Sequence, residues 1–337
     1  MAEAKRAERA ERGERAERGL PGETSASTEP SDAPGRVAVV IPCHDEASTI
    51  ARVVQSFREA LPDADVVVVD NASTDDTAED AARAGARVLH ESRLGKGFAL
   101  LTGFAAVPDA DHVVMVDGDD TYPAACVNDL LQAARESNAD VVIGTRHEAG
   151  SPGAFPPGHS LGNQLFIGLV RLLFGIRTRD LFSGYRVLSN RFLNTTPLVA
   201  TGFDVEAEIS VQAQVHGFQV IEIPVEYRAR EGTSRSKLRT FHDGFHIARE
   251  IMILFRDYRP MAFFGTLCLL LMGASFWSGW LPIDDYVRTG LVHHLPRAVL
   301  ASALFILAAL SLSLGVLLSS INRRSVELAA LIRKRGR

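Results

Sequence analysis

Two apolar runs, Val66 to Asp70 (VVVVD) and Val113 to Asp119 (VVMVDGD), both end in acid, and this constrains the chain more than any other feature. Each run is too short to span a membrane and too β-branched for a comfortable helix, so each reads as a buried strand with its carboxylate at the C-terminal edge. In open α/β sheets that edge is where ligands bind. Asp117 and Asp119 flank Gly118, which can bring two carboxylates and a close stretch of backbone to one divalent cation. An Asp closing a strand also has a purely local use in turns, and one cluster alone does not separate the two readings.

The pattern around these runs is α/β. Strands are predicted at Val37 to Ile41, Val66 to Val69, Arg87 to His90, Val113 to Val116 and Ala139 to Gly144. Helices are predicted between them at Ala47 to Ala60, capped by Asp45 or Ser48, and at Asp75 to Ala84, Gly97 to Ala106 and Pro123 to Ser137. Such alternation argues for a mainly parallel sheet covered by helices. The stretch beyond Gly144 is less regular.

Before this domain, Met1 to about Gly19 repeats Ala, Glu and Arg, with no apolar face to bury, and Leu20 to Gly35 has a linker composition. Residues 1–35 therefore read as a charged, disordered tail and linker. The opening residues lack the apolar stretch of a secretory signal.

After it, Met261 to Leu281 and Ala298 to Ile321 carry no formal charge. At about 1.5 Å per residue, each can cross a hydrocarbon core of roughly 30 Å. Trp277 and Trp280 fall near one end of the first span, where an aromatic belt would place them, and a short link of mixed charge, Pro282 to Arg297, joins the two. A helical hairpin buried in a soluble core is the alternative. Arg323, Arg324, Arg333, Lys334, Arg335 and Arg337 crowd the tail over 322–337, and the positive-inside rule assigns that tail and the N-terminal domain to the cytoplasm. Just ahead of the spans, residues 238–259 place Phe241, Phe245, Ala248, Met252 and Phe255 at spacings of three and four. This amphipathic helix fits the headgroup plane or a site on the globular domain equally well.

Composition narrows the function. With 337 residues and 46% hydrophobic content the chain can hold a sizeable core, and a formal net charge of −5 gives no case for nucleic acid. Cys43, Cys126 and Cys268 are widely separated, without disulfide or zinc-ligand spacing, which fits a reducing compartment. No GxxxxGK[ST] loop exists, and Gly95-Lys96-Gly97 lacks the third glycine of a dinucleotide fingerprint; it reads as a tight cationic turn near a phosphate. Downstream, Arg146, Ser183, Arg186, Arg228, Arg230, Ser236 and Lys237 form a basic set that, converging with a metal on one cleft, would suit a substrate with several phosphates.

Ordered motifs then carry a resemblance: IPCHDE (Ile41 to Glu46), VDNAST (Val69 to Thr74), GKG (Gly95 to Gly97), VDGDDTYP (Val116 to Pro123), GTR (Gly144 to Arg146), LFSGYR (Leu181 to Arg186), TGFDVEAEI (Thr201 to Ile209) and the SRSK ending at Lys237. The chain resembles the family 2 glycosyltransferases of GT-A fold, and among them the polyprenyl-phosphate sugar synthases similar to dolichol-phosphate mannose synthase. The resemblance implies a GT-A Rossmann-like domain over 36–237, followed by the amphipathic helix and a two-helix transmembrane anchor over 260–321. It implies an inverting transfer of one sugar from a nucleotide-sugar to a polyprenyl phosphate at the plasma membrane, for cell-envelope glycan or glycoprotein synthesis. Pro42, Glu46, Asp70, Lys96 and Asp117 are expected to line the nucleotide-sugar pocket, and Asp119, with Asp117, to bind Mg²⁺ or Mn²⁺. Arg146, Ser183, Arg186, Arg230, Ser236 and Lys237 are expected at the acceptor phosphate and leaving diphosphate, so that the catalytic set is Asp117, Asp119, Arg146 and Arg186.

Asn71 and His44 depart from the usual family residues, and the spacing of Thr233 to Ser236 leaves open whether Ser234 or Ser236 faces the phosphate. The wording VDN and DGDDTYP leans towards a UDP-hexose or UDP-N-acetylhexosamine rather than GDP-mannose. A transferase acting on a hydroxyl, with Asp204 or Glu206 as base, is the alternative. A scaffold without activity would predict loss of the paired acids, and a processive synthase a QxxRW motif that is missing. Homo-oligomer formation is left open.

Overall fold

A computed structural model describes residues 35–146, 159–176, 178–199, 202, 205–228 and 240–335, and the side chains of all of these except 159–165, 240–247 and 325–335. Residues 1–34 of the expected tail and linker lie outside the described residues, as do Asp204, Arg230, Ser234, Ser236 and Lys237.

The first half is built from β1 (Val37–Cys43), α1 (Ala47–Ala60), β2 (Asp65–Asp70), α2 (Thr77–Arg83), β3 (Arg87–His90), α3 (Lys96–Ala105) and β4 (His112–Met115). β1 lies between β2 and β4, with β3 outside β2, and all these pairs are parallel. The valine runs are unbroken because both faces of the sheet are covered. Val39, Ile41 and Val68 pack beneath Ile50, Val54 and Phe57 of α1. Their alternate neighbours Val40, Val67 and Val69 face Ala99 and Leu100 of α3. Gly103 lets α3 close on the sheet, since a Cβ there would stand 2.4 Å from Val40 Cγ1.

The second half adds α4 (Val127–Glu136), β5 (Val141–Arg146), α5 (His159–Phe174), β6 (Arg186–Ser189), α6 (Asn190–Thr195), α7 (Val205–Val215) and β7 (Val220–Val225). The seven strands run β3-β2-β1-β4-β6-β5-β7. β6 is antiparallel to both β4 and β5, and β5 pairs parallel with β7. The expected mainly parallel sheet is present with this one reversed strand inside it. The helix expected from Pro123 is a 3-10 turn over Ala124–Cys126 leading into α4. Asp140 staples the reversed strand at its base, accepting from Arg191 Nε at 2.8 Å, Ser189 Oγ at 3.1 Å and the Gln219 backbone N–H at 3.1 Å.

Three helices follow: α8 (Thr240–Tyr258), α9 (Pro260–Thr289) and α10 (Leu295–Arg335). Ile251 and Phe255 of α8 are buried with Val170 and Phe174 of α5 and Ala207 and Val211 of α7. Of the predicted stripe, Phe255 packs on the globular domain with Ile251 beside it, while Met252 is exposed. Among the described residues α9 and α10 are long and apolar enough to cross a membrane, and their most apolar windows are only 6% and 17% buried, unlike a hairpin inside a soluble core. The expected link from Pro282 is corrected: α9 continues through Pro282 to Thr289, and Gly290 ends it at φ 70°. Arg288 and Asp284, paired at 2.9 Å one turn apart, support the added turns.

The hairpin closes on small residues and hydroxyls, as helices in an apolar solvent do. Ser275 Oγ donates to Ala301 O at 2.7 Å and Ser311 Oγ to Phe264 O at 2.9 Å. A Cβ on Gly315 would lie 2.9 Å from Phe264 Cβ. Gly315→Leu is therefore expected to destabilise the chain in detergent by about 1–3 kcal/mol through overpacking. Thermal unfolding checks this, and an unchanged midpoint would show that the helices do not meet there.

Candidate active site

The order of the strands reverses between β1 and β4, so their carboxyl ends border the crevice where open α/β sheets bind ligands. Register brings the candidate residues to that edge. Pro42 pairs with Val69, Asp70 stands beside Cys43, and Asp117 lies two residues beyond Met115, the partner of Val40.

The acidic loop is held by contacts a larger residue could not make. Thr49 Oγ1 donates to the Gly118 carbonyl at 2.8 Å. A Cβ on Gly118 would fall 2.4 Å from Glu46 Oε2 and 2.5 Å from Cys43 Sγ, so the middle and the last residue of IPCHDE pack directly on the loop backbone. Asp119, buried, accepts from the backbone N–H of Thr121 at 3.2 Å and from its hydroxyl at 2.6 Å. Asp120 takes a positive φ of 58° and pairs with Arg52 at 2.7 Å.

Asp117 meets a cation inside the protein. Lys96 Nζ lies 2.5 Å from Asp117 Oδ1 and also binds Glu206 Oε1. Burial alone would lower the Lys96 pKa, but the two carboxylates outweigh it and hold the ammonium protonated well above its ordinary range. Gly184 seats the acid, since a Cβ there would lie 2.2 Å from Asp117 Oδ2. Lys96 itself is aimed by Asn71. The Asn71 side-chain amide donates to the carbonyls of Glu91 (3.2 Å) and Arg93 (2.7 Å), and its Oδ1 accepts from Gly95 N–H at 2.7 Å. Gly95, at φ 145°, turns the chain into α3. Arg93 grips Glu91 at 2.7 Å and, by hydrogen bonding, lowers its pKa to about 2. Asp70 accepts from Ser73 N–H at 3.3 Å and lies 3.2 Å from His90 Nδ1.

The basic set separates. Arg146 forks onto Asp180, Nε to Oδ2 at 2.7 Å and Nη2 to Oδ1 at 2.6 Å, with its guanidinium 5.6 Å from the centre of the Tyr227 ring. Ser183 is fully buried, and its hydroxyl donates to the Gly144 carbonyl. Arg186 is fully buried too, donating to Ser183 O at 2.9 Å, Ser210 Oγ at 2.8 Å and Leu181 O at 2.8 Å. With no exposed surface, Arg186 reaches a phosphate only if the segment around it opens. Desolvation lowers its pKa from the ordinary arginine value.

The sequence reading named Glu206 only as a base for a hydroxyl acceptor and gave Asn71 and Thr49 no structural task. The available signal was chemical: α7 buries Glu206, Glu208, Ser210 and Gln212 together, and buried acids demand partners.

Paired acids with oxygen donors suit a hard divalent cation. Among the described residues no group of three or more acidic, histidine or cysteine side chains could hold a metal by itself. Two carboxylates alone do not complete such a site; a divalent cation at Asp117 and Asp119 would need further oxygens, as Mg²⁺ takes from a nucleotide's phosphates.

Arg186→Met would leave two carbonyls and the Ser210 hydroxyl without their donor. It is expected to lower unfolding stability by about 3–5 kcal/mol. Denaturant unfolding in detergent measures this, and a loss below about 1 kcal/mol would move Arg186 out of the framework.

Comparison with known proteins places this geometry. The model of "Glycosyl transferase family 2" matches residues 38–195. Glycosyltransferase AglJ of Haloferax volcanii is 32% identical over 234 residues, covering 69% of this chain and 77% of that protein. The dolichyl-phosphate hexose transferase of the same organism is 32% identical over 219 residues, 64% of this chain and 92% of its own length. Glucosyl-3-phosphoglycerate synthase from Mycobacterium tuberculosis, solved with Mn²⁺, UDP-glucose and phosphoglyceric acid, superposes with a TM-score of 0.54 at 23% identity, over 71% of this chain and 85% of that one, a likeness of fold. The chain belongs to glycosyltransferase family 2 and is a glycosyltransferase.

Proposed function

We propose that this enzyme moves one sugar from a nucleotide-sugar to a polyprenyl phosphate, giving a polyprenyl-phosphate monosaccharide. The observation that carries the acceptor assignment is the pairing of Glu206 with Lys96. A hydroxyl acceptor needs a base to take its proton. Glu206, one of two residues the sequence offers for that task, is buried and neutralised by Lys96, whereas a phosphate acceptor brings its own anionic oxygen. The similar dolichyl-phosphate hexose transferase supports the same lipid class.

In this reading one acceptor phosphate oxygen attacks the anomeric carbon while the bond to the donor diphosphate breaks on the opposite face. The nucleoside diphosphate departs and the anomeric centre inverts. Asp119 and Asp117 would hold Mg²⁺ or Mn²⁺, which when bound supplies charge neutralisation for the leaving diphosphate. Pro42, Glu46 and Asp70 border the nucleotide, with Lys96 beside Asp117. Arg146, held by Asp180, is assigned to the acceptor phosphate, as are Arg230, Ser236 and Lys237. Ser183 and Arg186 we assign to holding the Leu181–Arg186 segment in shape. The donor is a UDP-hexose or UDP-N-acetylhexosamine, a choice supported by the VDN and DGDDTYP wording. The hairpin α9–α10 anchors the enzyme in a membrane, and the basic residues after Ile321 support a cytoplasmic catalytic domain.

The test is transfer by the purified enzyme in detergent, with undecaprenyl phosphate, Mg²⁺ or Mn²⁺ and a panel of UDP- and GDP-sugars, read by mass spectrometry of the lipid. Gain of one hexose or N-acetylhexosamine on the lipid monophosphate is expected. Sugar appearing only on a hydroxyl acceptor would sink the reading, and GDP-mannose as sole donor would overturn the nucleotide choice. Asp119→Ala should abolish transfer while the protein stays folded; wild-type turnover would remove the metal assignment. Gly184→Ala, which drives a methyl into the Asp117 carboxylate, should lower kcat/KM about 100-fold, the scale of roughly 1 Å of misplacement, and unchanged kinetics would show that Asp117 need not sit there.

A further inference from the structure

Lys96 touches two acids of different character. The Asp117 side chain is 25% exposed, Lys96 is 10% exposed and Glu206 only 4%, so the ammonium sits between an open acid and a closed one. Both oxygens of Glu206 are within the protein, yet Oε2 has no hydrogen-bond partner among the described residues. A buried carboxylate oxygen left over beside a lysine with three N–H donors is a second seat for that lysine. Glu206 is held from behind: it stands on α7, and α7 packs through Val205 and Ile209 against the sheet. Asp117 has backbone against its other oxygen at Gly184 and opens toward the crevice.

We propose that Lys96 is a resident cation that occupies Asp117 until the donor arrives, and that Glu206 is the positioning residue that receives it. With the crevice empty, the ammonium bridges Asp117 and Glu206. When a divalent cation reaches Asp117 and Asp119 with the nucleoside diphosphate, repulsion between the metal and the ammonium favours withdrawal of Lys96 from Asp117, and Glu206 takes it with both oxygens. The proton stays on Lys96 throughout, so only a hydrogen bond and an ion pair change partners. Without Glu206 the lysine has no retreat and competes with the metal for Asp117. This inference rests on the reading of Asp117 and Asp119 as the metal-diphosphate site.

The experiment measures Mn²⁺ binding to the full-length protein in detergent by the electron paramagnetic resonance of free Mn²⁺, with UDP or GDP present. Glu206→Gln is expected to weaken Mn²⁺ binding about tenfold, whereas Lys96→Met should bind Mn²⁺ at least as tightly as the wild type. The decisive comparison is the double variant. Because Glu206 acts through Lys96, Glu206→Gln should have no effect in the Lys96→Met background; a purely structural or long-range charge role would weaken binding there as well. Should Glu206→Gln fail to fold by thermal denaturation, Glu206→Asp, which keeps the charge and withdraws it by one methylene, is expected to weaken Mn²⁺ binding severalfold. Wild-type affinity in the Gln variant, or in the Asp variant where that one replaces it, would overturn the proposal alone, as would an equal loss in both backgrounds. Wild-type protein that binds no Mn²⁺ with either nucleotide would overturn the metal reading and this proposal with it.

Discussion

A carboxylate cannot be kept at the end of a hydrophobic strand unless something replaces its water, and that requirement organises this domain. Asp140, Asp180 and Glu206 are all buried, and each has an assigned cation: Arg191, Arg146 and Lys96. Glu208 is satisfied differently, by Val199 N–H at 2.9 Å and Gln212 Nε2 at 3.0 Å. Each partnership joins segments that would otherwise be free to slide. Asp140 fixes where β6 leaves the sheet, Asp180 fixes the end of β5, and Glu206 fixes α7 over α3. Of these acids only Glu206 was read as chemistry in the sequence; Asp140 and Asp180 lock the frame without having been singled out there.

The first half of the fold was legible because its signals are local. Valine runs fixed by burial on both faces, helices with one apolar face and acids at strand ends all follow from neighbouring residues. Harder to read were α5 and α7: Val205–Ala213 is buried all round, so its polar and apolar residues show no face. The close approaches at Gly118 and Gly184 and the contact of Lys96 with Glu206 join residues far apart in sequence, and no periodicity reports them. Asn71 looked like a departure from the family pattern, but its amide ties the loop before Lys96 in three places. The link was read from Pro282 because the charges resume there; α9 passes through it to Thr289, with Asp284 and Arg288 paired one turn apart.

α7 links the site to the apolar hairpin. One face presents Glu206 to Lys96 and Ser210 to Arg186, and another buries Ala207 and Val211 beneath Ile251 and Phe255 of α8. Tyr258, at the end of α8, reaches Glu208 at 3.5 Å, and Arg259 donates to the Phe174 carbonyl at 3.2 Å just before α9 begins. Asn322 of α10 returns to the Asp257 carbonyl. The hairpin is therefore joined at its root by Arg259 just before α9, by the Phe263 ring of α9, 5.8 Å from that of Phe255, and by Asn322 of α10, rather than by a swivelling tether.

The reversed strand has a consequence for how the chain is made. β4 is complete at Met115, but the neighbour it pairs with, β6, begins only at Arg186, after α4, β5 and α5 have been synthesised. Until then β4 presents an open row of N–H and C=O groups, and β5 has neither of its partners. Such an edge is a template for any strand that reaches it first, including one from another nascent chain. Closure depends on four residues, Arg186–Ser189, whose first member carries the buried guanidinium. Arg186 thus serves the newborn protein as a latch: the strand that shields the sheet's vulnerable edge is the one whose insertion sets the most demanding hydrogen bonds in place.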